Sequence, residues 1–342
     1  MKRLMPDSRL NVAEHALQQR FRKLRFFNSL VVGLLVLLAF VPLSLLPEKR
    51  SAPPVEIPLS VEPVPLAPTQ APLVPAGAWR LEAADRRFHG ISALAIDGWA
   101  FLAVSDLGSV VRFDRPDAPR PTVRIEALRD GPGDPGWKVS RDAESLVRDP
   151  RGRGWWVGYE QHHSLWLYDP AFRAARIAIA LPALGWAENR GAEALVDEGD
   201  ALLVLAENGR DAVRVDSGGP RRLALETGES VADAARAPDG SAWLLLRRKG
   251  LEGISQSIAP LERRGEILAI GERWPLPKGP FDNFEGMAIE VGPSGGLRFW
   301  LVTDDGHRIF ARTLLVALDL AGHDKRPADE AGRSKSPETG KP

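Results

Sequence analysis

A short motif that opens apolar runs recurs along this chain and constrains its fold more than any other feature. Glu144-Ser145-Leu146, Glu193-Ala194-Leu195, Asp233-Ala234-Ala235 and Glu285-Gly286-Met287 each lead into a strand-like stretch, and Ser92-Ala93-Leu94 does so without the acid. With Leu94, Leu146, Leu195, Ala235 and Met287 as equivalents, the steps are 52, 49, 40 and 52 residues. Several short strands per unit at such a period are the signature of propeller blades. One unit cannot bury both faces of its sheet alone. A closed ring of units can, and it leaves only short, protected edges. A β-sandwich has no reason to repeat at this length. Five units are visible, and the termini or residues 248–281 offer material for a sixth. The expected fold is therefore all-β, a β-propeller of five or six blades.

The texture of residues 79–321 agrees. Short runs of Val, Leu, Ile, Trp and Phe alternate with Asp-Gly, Gly-Asp and Asn-Gly turn signals. Only Ser230–Arg236 carries a helical period, for two turns. Trp99, Trp155, Trp156, Trp166, Trp243 and Trp300 sit inside apolar runs and are expected in the core. Cysteine is absent, which excludes a disulfide framework, a thiolate metal site and a cysteine nucleophile. The net formal charge is zero and no basic stripe crosses the globular part, so nucleic acid is not an expected partner. The Gly-x-Ser-x-Gly elbow of the α/β-hydrolases is missing.

The N-terminal third of the pattern differs. Residues 1–27 are basic, and residues 28–46 contain no charge over 19 positions. That length crosses a hydrocarbon core of about 30 Å as a helix. The basic flank places the N-terminus in the cytoplasm. A long basic leader without a small-x-small site after Leu46 favours an uncleaved signal anchor over a cleaved secretory signal. Both readings export the remainder. Residues 47–78 carry nine prolines and read as an extended spacer ahead of the globular part. Residues 322–342 are polar, without apolar period, and read as a disordered tail.

Aligning the units produces two acidic columns. The first opens the first strand: Glu144, Glu193, Asp233 and Glu285, with Ser92 in the first unit. The second closes the second strand: Asp106, Glu160, Glu207 and Asp304, with Arg247 in the fourth unit. Equivalent positions of a propeller share a radius and a height, so these carboxylates would converge on one mouth. Like charges at close range require a cation or an arginine. The expected metal ligands are Asp106, Glu144, Glu160, Glu193, Glu207, Glu285 and Asp304, for Ca²⁺ or another hard divalent cation. The expected catalytic groups are Glu144, Glu193 and Glu285, with Arg312 stabilising developing negative charge. Arg141, Arg190, Arg247 and Arg248 also lie next to the columns. The structural alternative is that these acids cap strand ends and bond to backbone amides of neighbouring blades. His162 and His163 are adjacent and diverge on a strand. His89 and His307 flank the first and last units and would approach one another if the ring closes there.

Asp282-Asn283-Phe284-Glu285-Gly286-Met287, the run ending Val302-Thr303-Asp304-Asp305, and Arg312-Thr313-Leu314-Leu315 together resemble the closing motif of the family described as esterase-like activity of phytase. Asn189-Arg190-Gly191-Ala192-Glu193-Ala194-Leu195 and Asp142-Ala143-Glu144-Ser145-Leu146 resemble its internal glutamate motifs, and Phe88-His89-Gly90-Ile91-Ser92 its opening. The resemblance implies an exported bacterial β-propeller; with the uncharged segment 28–46 as anchor, the expected location is the inner membrane with the globular domain in the periplasm. It implies an esterase or phosphoesterase acting on a small-molecule substrate, and an architecture similar to calcium-dependent propeller phytases. The competing expectation is a non-catalytic propeller that binds a partner protein of the envelope. Asp233 in place of a Glu and Arg247 in place of an acid depart from the family pattern.

Overall fold

The computed structural model describes residues 53–133, 141–182, 185–186, 191–251, 253–277, 283–306 and 312–321, and they form an all-β, propeller-like ring. Residues 1–52 and 322–342 lie outside the described residues, so the anchor segment, the basic leader and the tail do too. No helix among the described residues is long and apolar enough to cross a membrane.

Three strands precede the repeats: β1 (Val55–Pro58), β2 (Ser60–Pro63) and β3 (Leu73–Glu82). The first blade is β4 (Ile91–Asp97), β5 (Ala100–Ser105), β6 (Ser109–Asp114) and β7 (Thr122–Ala127). The second is β8 (Ala143–Arg148), β9 (Trp155–Tyr159), β10 (Ser164–Tyr168) and β11 (Ala175–Ala180). The third is β12 (Ala192–Asp197), β13 (Leu202–Ala206), β14 (Asp211–Asp216) and β15 (Gly219–Glu226). The fourth is β16 (Ser230–Arg236), β17 (Ala242–Gly250), β18 (Gly253–Arg264) and β19 (Ile267–Ile270), with the short β20 (Trp274–Pro275) on β18. The fifth starts with β21 (Phe284–Val291), β22 (Leu297–Thr303) and β23 (Thr313–Leu320). Among the described residues the blades therefore number five. The helical period of Ser230–Arg236 is overruled: that segment is the inner strand of blade four, paired to β17 along its length.

The inner strands close a cycle, since β4 neighbours β8, β8 neighbours β12, β12 neighbours β16, β16 neighbours β21, and β21 returns to β4. A separate apolar cluster fills each seam. Phe101, Phe113 and Trp300 lie between blades five and one, and Leu146, Val157 and Val104 between one and two. Trp156, Leu165 and Val204 join two to three, Leu205, Leu223 and Leu244 join three to four, and Trp243, Ile258 and Phe299 join four to five. Every blade thus buries both faces, which is why β9 and β13 are buried at each position and read as unbroken apolar runs. Outer strands such as β11 are largely exposed even though β11 is mostly Ala and Ile. Trp155, Trp156, Trp243 and Trp300 are buried as expected, whereas Trp99 is 89% exposed in the turn between β4 and β5.

The proline-rich segment is not a spacer. β3 pairs with β23 and completes blade five, and β2 extends that sheet. β1 adds to the outer edge of blade one through β7. One chain segment thus spans the seam where the ring closes, and the folded part begins near residue 55 rather than 79. Proline lacks an N–H to donate, so it is confined to edges and irregularities of sheets. Pro58 and Pro63 end edge strands, and Pro75 sits at the register break of β3 opposite Leu318.

Candidate functional site

Each inner strand carries a β-bulge at the same place. The pairing slips by one residue at Ser92 in blade one, Glu144 in blade two, Glu193 in blade three, Ala232 in blade four and Glu285 in blade five. A bulge sets two residues against one and re-aims a side chain out of the sheet's alternation. The first column is therefore Ser92, Glu144, Glu193, Ala232 and Glu285, and Asp233 does not belong to it. Asp233 is one position on, equivalent to Ala93, Ser145, Ala194 and Gly286, where neighbouring inner strands pass close together. A Cβ on Gly286 would lie 2.9 Å from backbone atoms of Ala93 and Leu94. Ser145 Oγ donates to the Ala192 carbonyl across one seam (2.7 Å). Asp233 Oδ2 accepts from the Met287 N–H of blade five (2.7 Å), and Oδ1 from Ala234 N–H (2.7 Å). Burial pushes its carboxyl well above the usual range, against these donors. For this acid the structural alternative holds.

The second column stands as aligned. Asp106, Glu160, Glu207, Arg247 and Asp304 each follow the residue that pairs with the one just before the bulge. Both columns thus mark one end of the ring, the acidic end.

Arg247 is the hub. Its guanidinium binds Glu285, lies 3.0 Å from Glu207 and 3.6 Å from Glu193, and so draws carboxylates from blades three and five onto blade four. Where the other acidic units bear Glu at the bulge, blade four has the small Ala232. Asn283 donates to Glu285 as well. Gln256 on β18 brackets the Phe284 backbone, accepting from its N–H (2.8 Å) and donating to its carbonyl (2.6 Å), and so holds the bulge that presents Glu285. Burial pushes the Glu193 carboxyl well up, and the charges of Glu144 and Glu285 add to this against the pull of Arg247. Burial pushes Glu285 up to about 6, opposed by Arg247 and reinforced by Glu144. Arg247 itself is held charged, its burial outweighed by Glu285, Glu193 and Glu207.

Beside the hub, Asp142, Glu144 and Glu160 each offer a carboxylate oxygen, and these atoms lie within 4.8 Å of one another. Three carboxylates of this kind fit a hard divalent cation. Asp142 is absent from the aligned columns because it precedes β8; its motif position two residues before Glu144 was the available signal.

The remaining expected residues are distributed as follows. Asp106 is buried, and its N–H donates to the Gly90 carbonyl (2.9 Å). Asp304 is half-buried and its Oδ1 accepts from Gly306 N–H (2.6 Å), the bond of a turn. Arg312 is exposed, and its carbonyl accepts from Thr303 Oγ1 (2.6 Å); the guanidinium seated on the carboxylates belongs to Arg247. Arg141 is spent on the carbonyls of residues 128–133, which it gathers into a loop. Arg248 is 70% exposed beside Glu229 (3.3 Å). Arg190 and His307 lie outside the described residues. His89 pairs instead with Asp305, which sequence reasoning passed over in favour of its neighbour Asp304.

Away from the acidic end, the inner strands line a cavity of about 210 Å³ with Leu94, Leu146, Leu195, Ala235 and Met287. Arg148, Asp197 and Arg236 line the same cavity, so it is apolar only in part.

A ring of antiparallel blades with a carboxylate mouth defines the class, a propeller-like protein with its polar site on the axis. The chain belongs to the phytase-like family described as esterase-like activity of phytase, which matches residues 86–307. Comparison with curated proteins yields no match. Among solved structures it is similar to the glutaminyl cyclase of Myxococcus xanthus (12% identity, TM-score 0.44, covering 72% of this chain and 97% of that one). It is also similar to streptogramin B lyase (9% identity, TM-score 0.40, 77% and 98%). It covers little more than half, 56%, of the matched chain of Kuenenia stuttgartiensis hydrazine synthase (13% identity, TM-score 0.35, 63% of this chain).

Proposed function

We propose that this protein hydrolyses ester or phosphoester bonds of a small-molecule substrate at the acidic mouth of its ring, assisted by a divalent cation such as Ca²⁺. The observation that carries this reading is a surplus of negative charge. Glu193, Glu207 and Glu285 share one guanidinium, with Lys249 3.9 Å from Glu207, while Asp142, Glu144 and Glu160 stand together beside it. A scaffold has no use for such crowding, whereas a site that binds a cation does. The donor set Asp142, Glu144 and Glu160 would hold the ion, whose chemistry there is to polarise the ester and to acidify a water. The carboxyl of Glu285, raised to about 6, is suited to holding or releasing a proton near neutrality, and burial raises that of Glu193 as well. Arg247 keeps those two groups in place and limits their mutual repulsion. Membership of the phytase-like family supports the reaction class.

The proposal extends to location. The uncharged segment 28–46 would anchor the chain once in a bacterial inner membrane, with the ring in the periplasm. The anchor and any envelope partner follow from the sequence pattern alone.

The test is a hydrolysis panel with the full-length protein on p-nitrophenyl acetate, p-nitrophenyl phosphate and phytate, with Ca²⁺ and with EDTA. Metal-dependent turnover that Glu144→Gln abolishes supports the reading and names the bond. Silence on every substrate, with no change in melting temperature on adding Ca²⁺, returns the chain to a non-catalytic binding module of the envelope.

A further inference from the structure

The seam where blade five meets blade one carries a histidine–aspartate pair that the carboxylate hub does not use. His89 follows the short turn of 3-10 helix Arg86–Phe88 and stands two residues before β4. Its Nδ1 lies 2.5 Å from Asp305 Oδ2. Asp305 is a buried residue of blade five, two positions beyond β22, with its side chain 5% exposed. The same Oδ2 accepts from Thr313 Oγ1 (3.0 Å), and Oδ1 accepts from Gly90 N–H (3.3 Å). Donors on both oxygens favour the ionised carboxylate, which only accepts. The proton of this contact therefore sits on His89 Nδ1. In the neutral ring the lone pair is then on Nε2, and proton exchange with a substrate falls to that nitrogen. The imidazole is 39% exposed while its partner is buried, so an accessible base is oriented by an inaccessible acid.

The pair also lies at the acidic end. Asp305 follows Asp304 of the second column, and Asp106, the member of that column in blade one, bonds through its N–H to Gly90 beside His89. The charged groups that act on the imidazole are Asp305, Arg86 and Asp106. The hydrogen bond to Asp305 raises its pKa above the usual value, burial and Arg86 oppose this, and Asp106 adds to the rise.

We propose that His89, oriented by Asp305, is the general acid–base of hydrolysis at this mouth. This rests on the hydrolase reading above. As the water oxygen bonds to the carbonyl carbon or phosphorus of the substrate, the water proton passes to Nε2. As the bond from that centre to the leaving oxygen breaks, the same proton passes from Nε2 to that oxygen. Water and ester are consumed, acid and alcohol are released, and the imidazole returns to neutral. Asp305 stays ionised throughout and acts as a positioning residue. The same geometry would serve a purely mechanical clasp of the closing seam, and the two roles differ in what they predict.

The experiment compares full-length wild type with His89→Gln, Asp305→Asn and Glu144→Gln, on whichever ester the wild type turns over, between acid and alkaline pH. His89→Gln is expected to lower kcat by about 100-fold or more, with KM little changed and the acid limb of the pH profile removed. Added imidazole is expected to restore part of the activity of His89→Ala. Asp305→Asn is expected to shift the acid limb to lower pH. Ring ¹⁵N resonances of the wild type provide a reading independent of turnover, and are expected to show the Nδ1–H tautomer. A clasp alone would lower the melting temperature of His89→Gln and leave kcat of the folded protein intact, which overturns the proposal. If Glu144→Gln abolishes activity and His89→Gln does not, the inference fails and the hydrolase reading stands. If the wild type is silent on every substrate, both fall. If His89→Gln does not fold, the decision passes to Asp305→Asn and the tautomer: an unmoved acid limb or an Nε2–H ring overturns the proposal.

Discussion

The two ends of the five inner strands solve the same electrostatic problem in opposite ways. At the far end Glu290, Asp319 and Asp149 have their own donors, while Glu198, Asp200 and Asp216 share Arg214. Arg115 grips both oxygens of Glu290 (3.0 and 2.7 Å) while Trp300 Nε1 donates to it (2.7 Å). Arg298 does the same for Asp319 (2.6 and 2.9 Å), and Arg153 with Trp156 Nε1 holds Asp149. Burial would raise the carboxyls of Glu290 and Asp149, but the donors overcome it: Glu290 falls below its usual value and Asp149 falls to about 2. At the acidic end three glutamates share Arg247, a second acidic trio lies alongside, and burial wins. Glu193 and Glu285 rise. At the far end Glu290 and Asp149 are each matched by their own donors, which belongs to stability. At the acidic end buried carboxyls are raised around one shared guanidinium, an arrangement of the kind found where a cation binds or a reaction is run.

The comparison can be broken most severely at its hub. Replacing Arg247 with Met removes the guanidinium that Glu193, Glu207 and Glu285 share, with Lys249 remaining 3.9 Å from Glu207, and is expected to destabilise the fold by about 3–5 kcal/mol in urea unfolding. Unchanged stability would mean that the glutamates are already neutral. A smaller effect of opposite sign is expected from Ca²⁺. A cation at Asp142, Glu144 and Glu160 should stabilise the protein by about 2.7 kcal/mol at 100 times its Kd. Glu144→Gln should cancel the shift in melting temperature, and an equal shift in that variant would place the ion elsewhere.

The pH dependence sharpens the contrast. The folded pKa of Glu285 is raised from 4.5 to about 6, so the native state holds the proton more tightly than the unfolded chain. Its contribution is fully present below about pH 4.5 and lost as pH rises through about 6. Glu285→Gln should match wild type in acid and exceed it by about 2 kcal/mol above neutrality. The folded pKa of Asp149 is lowered from 3.8 to about 2, so its contribution is present above about 3.8 and lost as pH falls through about 2. Asp149→Asn should therefore cost about 2 kcal/mol at neutral pH and nothing in strong acid. Equal signs for the two variants at neutral pH would dissolve the distinction between the ends. The smallest effect is expected one residue from the largest: Arg248→Met, at an exposed side chain, should stay within about 0.5 kcal/mol of wild type.

The second acidic column was legible because strand ends can be counted from the sequence. Asp106, Glu160, Glu207, Arg247 and Asp304 occupy the positions that alignment assigns them. The first column was misread by one residue in blade four. Asp233 looks like the missing acid, but the bulge residue is Ala232, and a one-residue slip exchanges the faces of a strand. No local property of Val231-Ala232-Asp233 declares where a pairing will slip. The prolines misled for a related reason. Their density says that ladder donors are missing, and this suits an edge strand as well as a free spacer; only pairing with β7 and β23 distinguishes them. Arg247 registered in the sequence as a gap in an acidic pattern, whereas in the ring it is the charge that lets the pattern close.

By itself the sequence determined the all-β class, the repeat, the unbroken apolar runs that bury both faces of the blades, and the acids at one end of them. These follow from side-chain periodicity and burial, which act within a few residues along the chain. Only the tertiary structure decided which acids share a cation, that Asp142 joins Glu144 and Glu160, that Asp233 stitches two blades, and that His89 meets Asp305 across 216 positions of chain. Those pairings depend on ring closure, bulge placement and the low polarity of packed seams, and these exist only once the blades have met.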